Sequence, residues 1–404
     1  MKTGEAMKYA VLIGDGMADY PIKELDDKTI LQAAQIPAMD YIAARGKTGF
    51  AKTIPDGFSP GSDIANMSIL GYDPVIYYSG RAPLEAASMG VPLAAEDVAF
   101  RCNFITIEFG RMKDYSAGHI NNDEAKILIQ ALDTKLSIEG LHFYPGISYR
   151  HLLVARNNIG VETKCTPPHD IIGKKVKKYM PSGIDGKFFS ELIEASMVVL
   201  EMHPVNLKRI AEGKHPANSI WVWGQGPAPK FTPFRKLYGK TGAIVSAVDL
   251  LKGIGICAGM EVIEVPGATG YLDTNYEGKA CAALETLKTK DLVFVHVEAP
   301  DEAGHEGSIE KKLQAVEDFD RRIVAPILKY AVDSGDPFTI LIMPDHPTPI
   351  SLKTHTNDPI PFAVYRTDEN DPDETEAFDE MSAKKGSVGL IEASDLIGMI
   401  IKAS

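Results

Sequence analysis

Seven residues divided between the two ends of this 404-residue chain have the types that two divalent cations and a nucleophile need. Near the start, the apolar run Lys8-Tyr-Ala-Val-Leu-Ile13 leads into Gly14-Asp15-Gly16, and Ser59-Pro-Gly-Ser62-Asp63 follows. Far downstream come Asp301-Glu-Ala-Gly-His305, Pro344-Asp345-His346-Pro347 and Lys353-Thr-His355. Asp15, Ser62, Asp301, His305, Asp345, His346 and His355 supply three carboxylates, three imidazoles and one hydroxyl. That donor set suits two divalent cations in a site that keeps room for a phosphate. A serine hydroxyl is a weak nucleophile at neutral pH. A cation on its oxygen stabilises the alkoxide without a histidine base. The chemistry expected is phosphoryl transfer through a metal-activated serine.

Each cluster also has a structural reading. Asp301 and His305 stand four apart, on one face of a helical turn, where surface pairs also occur. Asp345-His346 could form an Asx-type turn enforced by Pro347. Ser62 or Asp63 could simply cap a helix. Jointly, four clusters at strand ends favour the functional reading. A helix start at Ser62 would also offer free amides to an anion.

The elements that must position these residues are legible as apolar runs. Residues 9–13, ended by Gly-Asp-Gly, read as a buried parallel strand with Asp15 just past its carboxyl end. Residues 292–297 and 338–343 read as strands leading to Asp301 and to Asp345. Residues 243–247 and 360–365 read as further strands. Helices are expected over 29–45, 248–258, 309–332 and 391–401. From about 85 to 232 the texture changes. Residues 98–107 read as a strand with a hairpin turn at Gly110-Arg111, and 142–154 and 220–223 as further strands. Helices are expected over 124–136 and 190–212, the latter broken near Pro204. The fold class expected is α/β: a discontinuous core of residues 1–84 and 233–404, interrupted by an inserted α+β domain of residues 85–232.

Candidate substrate contacts are available. Cationic Arg101, Arg150 and His169, with acidic Asp170, lie in the insert, and Lys279 lies in the later core. Arginine suits bidentate pairing with carboxylate or phosphate. Asp170 could act as acid or base, or orient His169.

Composition excludes other classes. The formal net charge of -13 argues against nucleic acid or anionic membranes as partners. No segment approaches the roughly 20 apolar residues of a membrane span, and residues 1–7 lack the apolar stretch of a signal peptide. Cys102, Cys165, Cys257 and Cys281 show no paired spacing and read as reduced thiols of a cytoplasmic protein. Oligomeric state is not legible.

These motifs resemble those of the alkaline phosphatase superfamily. They are most similar to the archaeal-type cofactor-independent phosphoglycerate mutase family. The insert carries the more specific part: Asp97-Val-Ala-Phe-Arg-Cys-Asn-Phe104, Asp114-Tyr-Ser-Ala-Gly118, Ser148-Tyr-Arg-His-Leu-Leu153 and Pro167-Pro-His-Asp170. Pro266-Gly-Ala-Thr-Gly270 and Asp273-Thr-Asn-Tyr-Glu-Gly-Lys279 resemble the later core. The resemblance implies an alkaline-phosphatase-like core. It implies one metal on Asp301, His305 and His355, and a second on Asp15, Ser62, Asp345 and His346. It implies a phosphoserine and interconversion of 3-phosphoglycerate and 2-phosphoglycerate, with no 2,3-bisphosphoglycerate requirement. Manganese suits the donors first, with zinc, cobalt or magnesium as alternatives. The expected partner is thus a small phosphorylated three-carbon acid. The rival readings are a phosphatase or other phosphomutase on the same core, and a noncatalytic metal-binding sugar-phosphate sensor.

Overall fold

A computed structural model describes residues 7–136 and 138–402. The stretch before Met7, weighed above for a leader, lies outside the described residues. The chain divides into two compact units: residues through Tyr78 together with those from Phe231 onward, and the intervening Ser79–Lys230.

The first unit is built on an eight-stranded sheet. Its order is Gly389–Glu392, Lys47–Lys52, Ile360–Arg366, Phe338–Met343, Lys8–Gly14, Leu292–Val297, Gly242–Val245 and Glu261–Ile263. The five strands from Phe338–Met343 to Glu261–Ile263 run parallel, as their continuous apolar runs require. Leu12, Val293, Val295, Ile340 and Ile342 join the core cluster, with Phe319, Ile323 and Ile327 from the covering helices. Each parallel pair ends in register: Ile13 faces His296 on one side and Met343 on the other. The loops carrying Asp15, Asp301 and Asp345 therefore leave one edge of the sheet together.

The helix expected over 29–45 forms two pieces, Ile30–Ala33 and Pro37–Arg45, parted before Pro37. The long helix expected over 309–332 contains a π turn at Asp320–Val324. Asp320 there accepts bonds from the amides of Ala38 and Met39, 3.2 and 2.7 Å away, and so caps the neighbouring helix. The strands Lys47–Lys52 and Gly389–Glu392 were missed, because both mix lysine or glycine with few apolar residues.

The second unit is an antiparallel sheet around Val98–Glu108, which pairs with Arg111–Asp114, Arg150–Ala155 and Ser219–Pro227, while Leu141–Tyr144 pairs with Arg150–Ala155. The hairpin turn sits one residue earlier than expected. Phe109 and Gly110 both have positive φ, 50° and 69°, as a two-residue turn of this twist requires. Alternation sorts the central strand. Phe100, Cys102 and Phe104 pack beneath the helices Asn122–Lys135 and Gly186–Glu201. Ala99 packs on the other face with Ala82 and Ala86 of the helix Arg81–Ser88. That helix belongs to this unit, so the seam falls before Ser79, several residues ahead of the boundary expected at 84/85. Among the described residues the four cysteines are free. No described helix is long and apolar enough to cross a membrane.

Candidate active site

Asp15 follows the central strand and is fully buried. The tight turn behind it depends on Gly16, whose φ is +64°; a Cβ there would lie 2.7 Å from the Asp301 Cα. The Gly16 amide donates to Asp345 Oδ1 at 3.1 Å, tying the first loop to the loop after Phe338–Met343. His346 donates its own amide to the same oxygen at 2.8 Å. Asn66 Nδ2 bridges Asp345 Oδ2, 2.8 Å away, and the Ser62 carbonyl, 2.9 Å away.

Ser62 is the first residue of the helix Ser62–Ile69, and Gly61 is its N-cap. The serine hydroxyl turns away from the helix amides and toward the acidic cluster, where it donates to Asp15 Oδ2. Ser62 Oγ lies 3.2 Å from His346 Nε2 and 3.4 Å from Asp15 Oδ2. Asp301 and His305 occupy one face of the helix Ala299–Glu306, as their spacing predicts. Asp301 Oδ2 is 3.1 Å from His305 Nε2, and its Oδ1 is 3.4 Å from His355 Nε2. His305 and His355 meet through their Nε2 atoms at 3.0 Å.

All seven sequence-predicted residues thus gather at one edge of the sheet. Two groups have ligand atoms within 4.8 Å of one another: Asp301, His346 and His355, and Asp15, His296 and Asp345. His346 reaches both, since its Nε2 is also 3.5 Å from Asp15 Oδ1 and 3.6 Å from Asp345 Oδ2. Lys279 is buried on the helix Tyr276–Leu287 and donates to the His296 carbonyl at 3.1 Å. Burial lowers its pKa to about 8.

The electrostatics are those of a cation site. Burial, then Asp345 and Asp301, push Asp15 well above the usual carboxylate range. Burial also works against the charged form of Asp301, but the bonds from His305 and His355 hold it well below that range. Burial depresses His346. Asp15 Oδ1 is buried with no hydrogen-bond partner, a costly state for a carboxylate oxygen unless a cation takes it.

Several supporting residues escaped the sequence reading. His296 is one; the available signal was a histidine inside an otherwise apolar buried strand. Thr348, which donates to Asp301 Oδ1, and Asn66 carry no motif. Another is Lys312, fully buried, whose Nζ donates to Asp19 Oδ2 at 2.7 Å and to the Thr348 carbonyl at 2.8 Å. Asp19 in turn accepts from the Ile350 amide, so this pair clamps both ligand-bearing loops. Lys312→Met is expected to cost about 3–5 kcal/mol, because it strands a buried carboxylate. Denaturant unfolding of Lys312→Met and of the double variant with Asp19→Leu checks this. The double variant should recover much of the loss.

In the second unit Arg101 is buried, 3.1 Å from Glu85 Oε2, with its guanidinium 4.4 Å from the centre of the Trp223 ring. His169 meets the same indole edge-on at 5.3 Å, and Asp170 lies 3.8 Å from His169. Arg150 is exposed at the start of its strand.

Carboxylates and imidazoles crowded this tightly around one serine hydroxyl, on the carboxyl edge of a parallel sheet, place the chain among metal-dependent enzymes of phosphoryl transfer. Comparison with known proteins narrows the class. Residues 43–206 match the family model described as 2,3-bisphosphoglycerate-independent phosphoglycerate mutase. A protein of that name from Methanosarcina barkeri is 76% identical, covering 98% of this chain and all of the relative. A probable one from Geobacter sulfurreducens is 50% identical over 98% of this chain and all of the relative. Among solved structures, the PH0037 protein from Pyrococcus horikoshii aligns with a TM-score of 0.82 and 32% identity, covering 98% of both chains. A cofactor-independent phosphoglycerate mutase from Thermoplasma acidophilum aligns at 0.68 and 28%, covering 98% of this chain and all of that one. The chain belongs to the 2,3-bisphosphoglycerate-independent phosphoglycerate mutase family, metal-dependent isomerases that act on a small phosphorylated acid.

Proposed function

We propose that the chain interconverts 3-phosphoglycerate and 2-phosphoglycerate through a phosphoserine at Ser62. The observation that carries this reading is the Ser62 hydroxyl at a helix start, set among the candidate ligands at 3.2 Å from His346 Nε2 and 3.4 Å from Asp15 Oδ2. Ser62 Oγ bonds to phosphorus and gives up its proton as the P–O bond to glycerate breaks, and the departing glycerate oxygen takes up one proton, so none is gained or lost overall. The glycerate turns, and its other hydroxyl displaces Ser62 Oγ to give the isomer. Asp301, His305 and His355 would hold one cation, and Asp15, Ser62, Asp345 and His346 the other. The unpartnered Asp15 Oδ1 fits that role. Bound cations favour the serine alkoxide and neutralise the phosphoryl oxygens. Mixed oxygen and nitrogen donors suit manganese. Four free cysteines suit the cytoplasm.

In this reading the core unit carries Ser62 and the cation ligands, and the insert supplies substrate contacts. Arg101, Arg150, His169 and Asp170 of the insert, with Lys279 of the core, take the glycerate. Truncating a charged partner of a bound anion costs several kcal/mol. Arg101→Ala and Arg150→Ala should therefore slow isomerisation by about 100-fold or more. With Ser62 intact, the phosphoenzyme still forms and is lost to water. The ratio of phosphate release to isomerisation should rise in both variants. Paired phosphate-release and isomerisation assays, run without 2,3-bisphosphoglycerate, decide it. Wild-type ratios in both would mean that these arginines do not hold the glycerate. Arg150→Ala is the cleaner arm, because Arg101 also packs on Trp223.

A further inference from the structure

The strand Leu292–Val297 is buried along its whole length, yet its fifth residue is His296. A buried imidazole costs stability unless both ring nitrogens find partners. Here they do. Nε2 lies 3.0 Å from Asp15 Oδ2, and Nδ1 lies 3.4 Å from Ser246 Oγ. Ser246 Oγ accepts the Val248 amide at 3.0 Å and keeps its own proton to donate to Nδ1. A metal-binding Asp15 is ionised and can only accept, so the ring proton sits on Nε2. Nδ1 accepts, and Nε2–H donates to Asp15.

The consequence for Asp15 is a division of labour between its oxygens. Oδ2 is held by His296 at 3.0 Å, with Ser62 Oγ farther off at 3.4 Å, while Oδ1, buried and without a hydrogen bond, is left to face Asp345 and His346. We infer that His296 is a positioning residue for the metal-binding carboxylate: its Nε2–H, set by Ser246, holds Asp15 Oδ2 and aims Oδ1 at the cation. This rests on the assignment of Asp15 to a cation site made above. His296 is then a donor to a ligand, with no lone pair for the ion itself. Carboxylate ligands are commonly held this way, and loss of such a partner weakens metal affinity by roughly 10–100-fold.

The test is calorimetric titration of metal-stripped protein with Mn2+. Wild type should bind two equivalents. His296→Phe should weaken one equivalent by about 10–100-fold and leave the other within about twofold. His296→Gln, which keeps an N–H donor, should recover most of the loss. Ser246→Ala keeps the imidazole and frees its tautomer, and it should weaken the same equivalent by about 3–10-fold, a smaller effect than losing the donor outright. It decides the matter if the phenylalanine variant does not melt cooperatively. Unchanged affinities in His296→Phe, or in Ser246→Ala, overturn the inference. So does a His296 carrying its proton on Nδ1 in the 15N spectrum of zinc-loaded protein, which would make it a ligand. A wild type with no second equivalent overturns the cation site itself, and is thereby told apart from failure of His296 alone.

Discussion

Ser62→Ala is expected to lose mutase turnover by about 10^4-fold or more, the scale seen when a covalent nucleophile is removed. Its fold should survive. Ser62 sits at the first helical position, and its hydroxyl caps nothing. Alanine there is a good helix former and removes no buried volume. Ser62 is one of four proposed ligands of its cation, so affinity there should weaken, but with Asp15, Asp345 and His346 in place metal content should hold close to wild type when metal is in excess. Three measurements make the test: turnover, thermal melting and metal content. Loss of all three would mark a misfolded variant. Substantial turnover with the serine gone would sink the phosphoserine route altogether.

Stripping divalent metal should be nearly as severe. Asp15, Asp301 and Asp345 gather at one buried edge, and burial with mutual repulsion already drives Asp15 well above the carboxylate range. Without counter-charge, an anionic phosphate meets anionic walls. Turnover should fall by about 10^3-fold or more on chelation, the scale of losing the main electrostatic stabiliser of a transition state, and Mn2+ should restore it. Binding to the folded state alone also raises stability, by about 2.7 kcal/mol at a hundredfold excess over Kd. The melting temperature should therefore rise with added metal in wild type. Asp301→Ala and Asp345→Ala should each blunt that rise and lower occupancy of its own site. Unchanged metal content in both variants would end the two-site assignment.

The three aspartates gathered here were legible because each follows an apolar run ended by glycine or proline. A buried parallel strand has no polar face, so its period is obvious and its carboxyl end is marked. The supports were not legible. Lys312 sits in a helix that otherwise reads as an ordinary amphipathic surface element, and sequence alone shows it as one more solvated lysine. Its burial follows from the loops folding over it, a tertiary fact. His296 interrupts a strand without breaking it, and only the neighbours at Asp15 and Ser246 reveal why. The strand Lys47–Lys52 was invisible for the opposite reason: its polar ends look like loop, and its pairing with Ile360–Arg366 decides it. Helix breaks were readable at Pro204 and hidden at Asp320, where no residue type announces a π turn.

The strand order has a consequence for how the chain is made. Lys8–Gly14 lies between Leu292–Val297 and Phe338–Met343, and both neighbours come from the last third of the sequence. Tyr9 pairs with Leu292, so the first strand leaves the ribosome about 280 residues before its nearest partner. At about 5–20 residues per second that is a wait on the order of tens of seconds. Over that interval Val11, Leu12 and Ile13, all fully buried at the end, have no sheet to join. The unit Ser79–Lys230 has all its strand partners within itself and can close while the nascent chain is still growing. The core sheet can therefore close only late in synthesis. The apolar N-terminal segment is where a chaperone has most reason to bind, and a chain cut short before the strand at Leu292–Val297 leaves that segment without either partner.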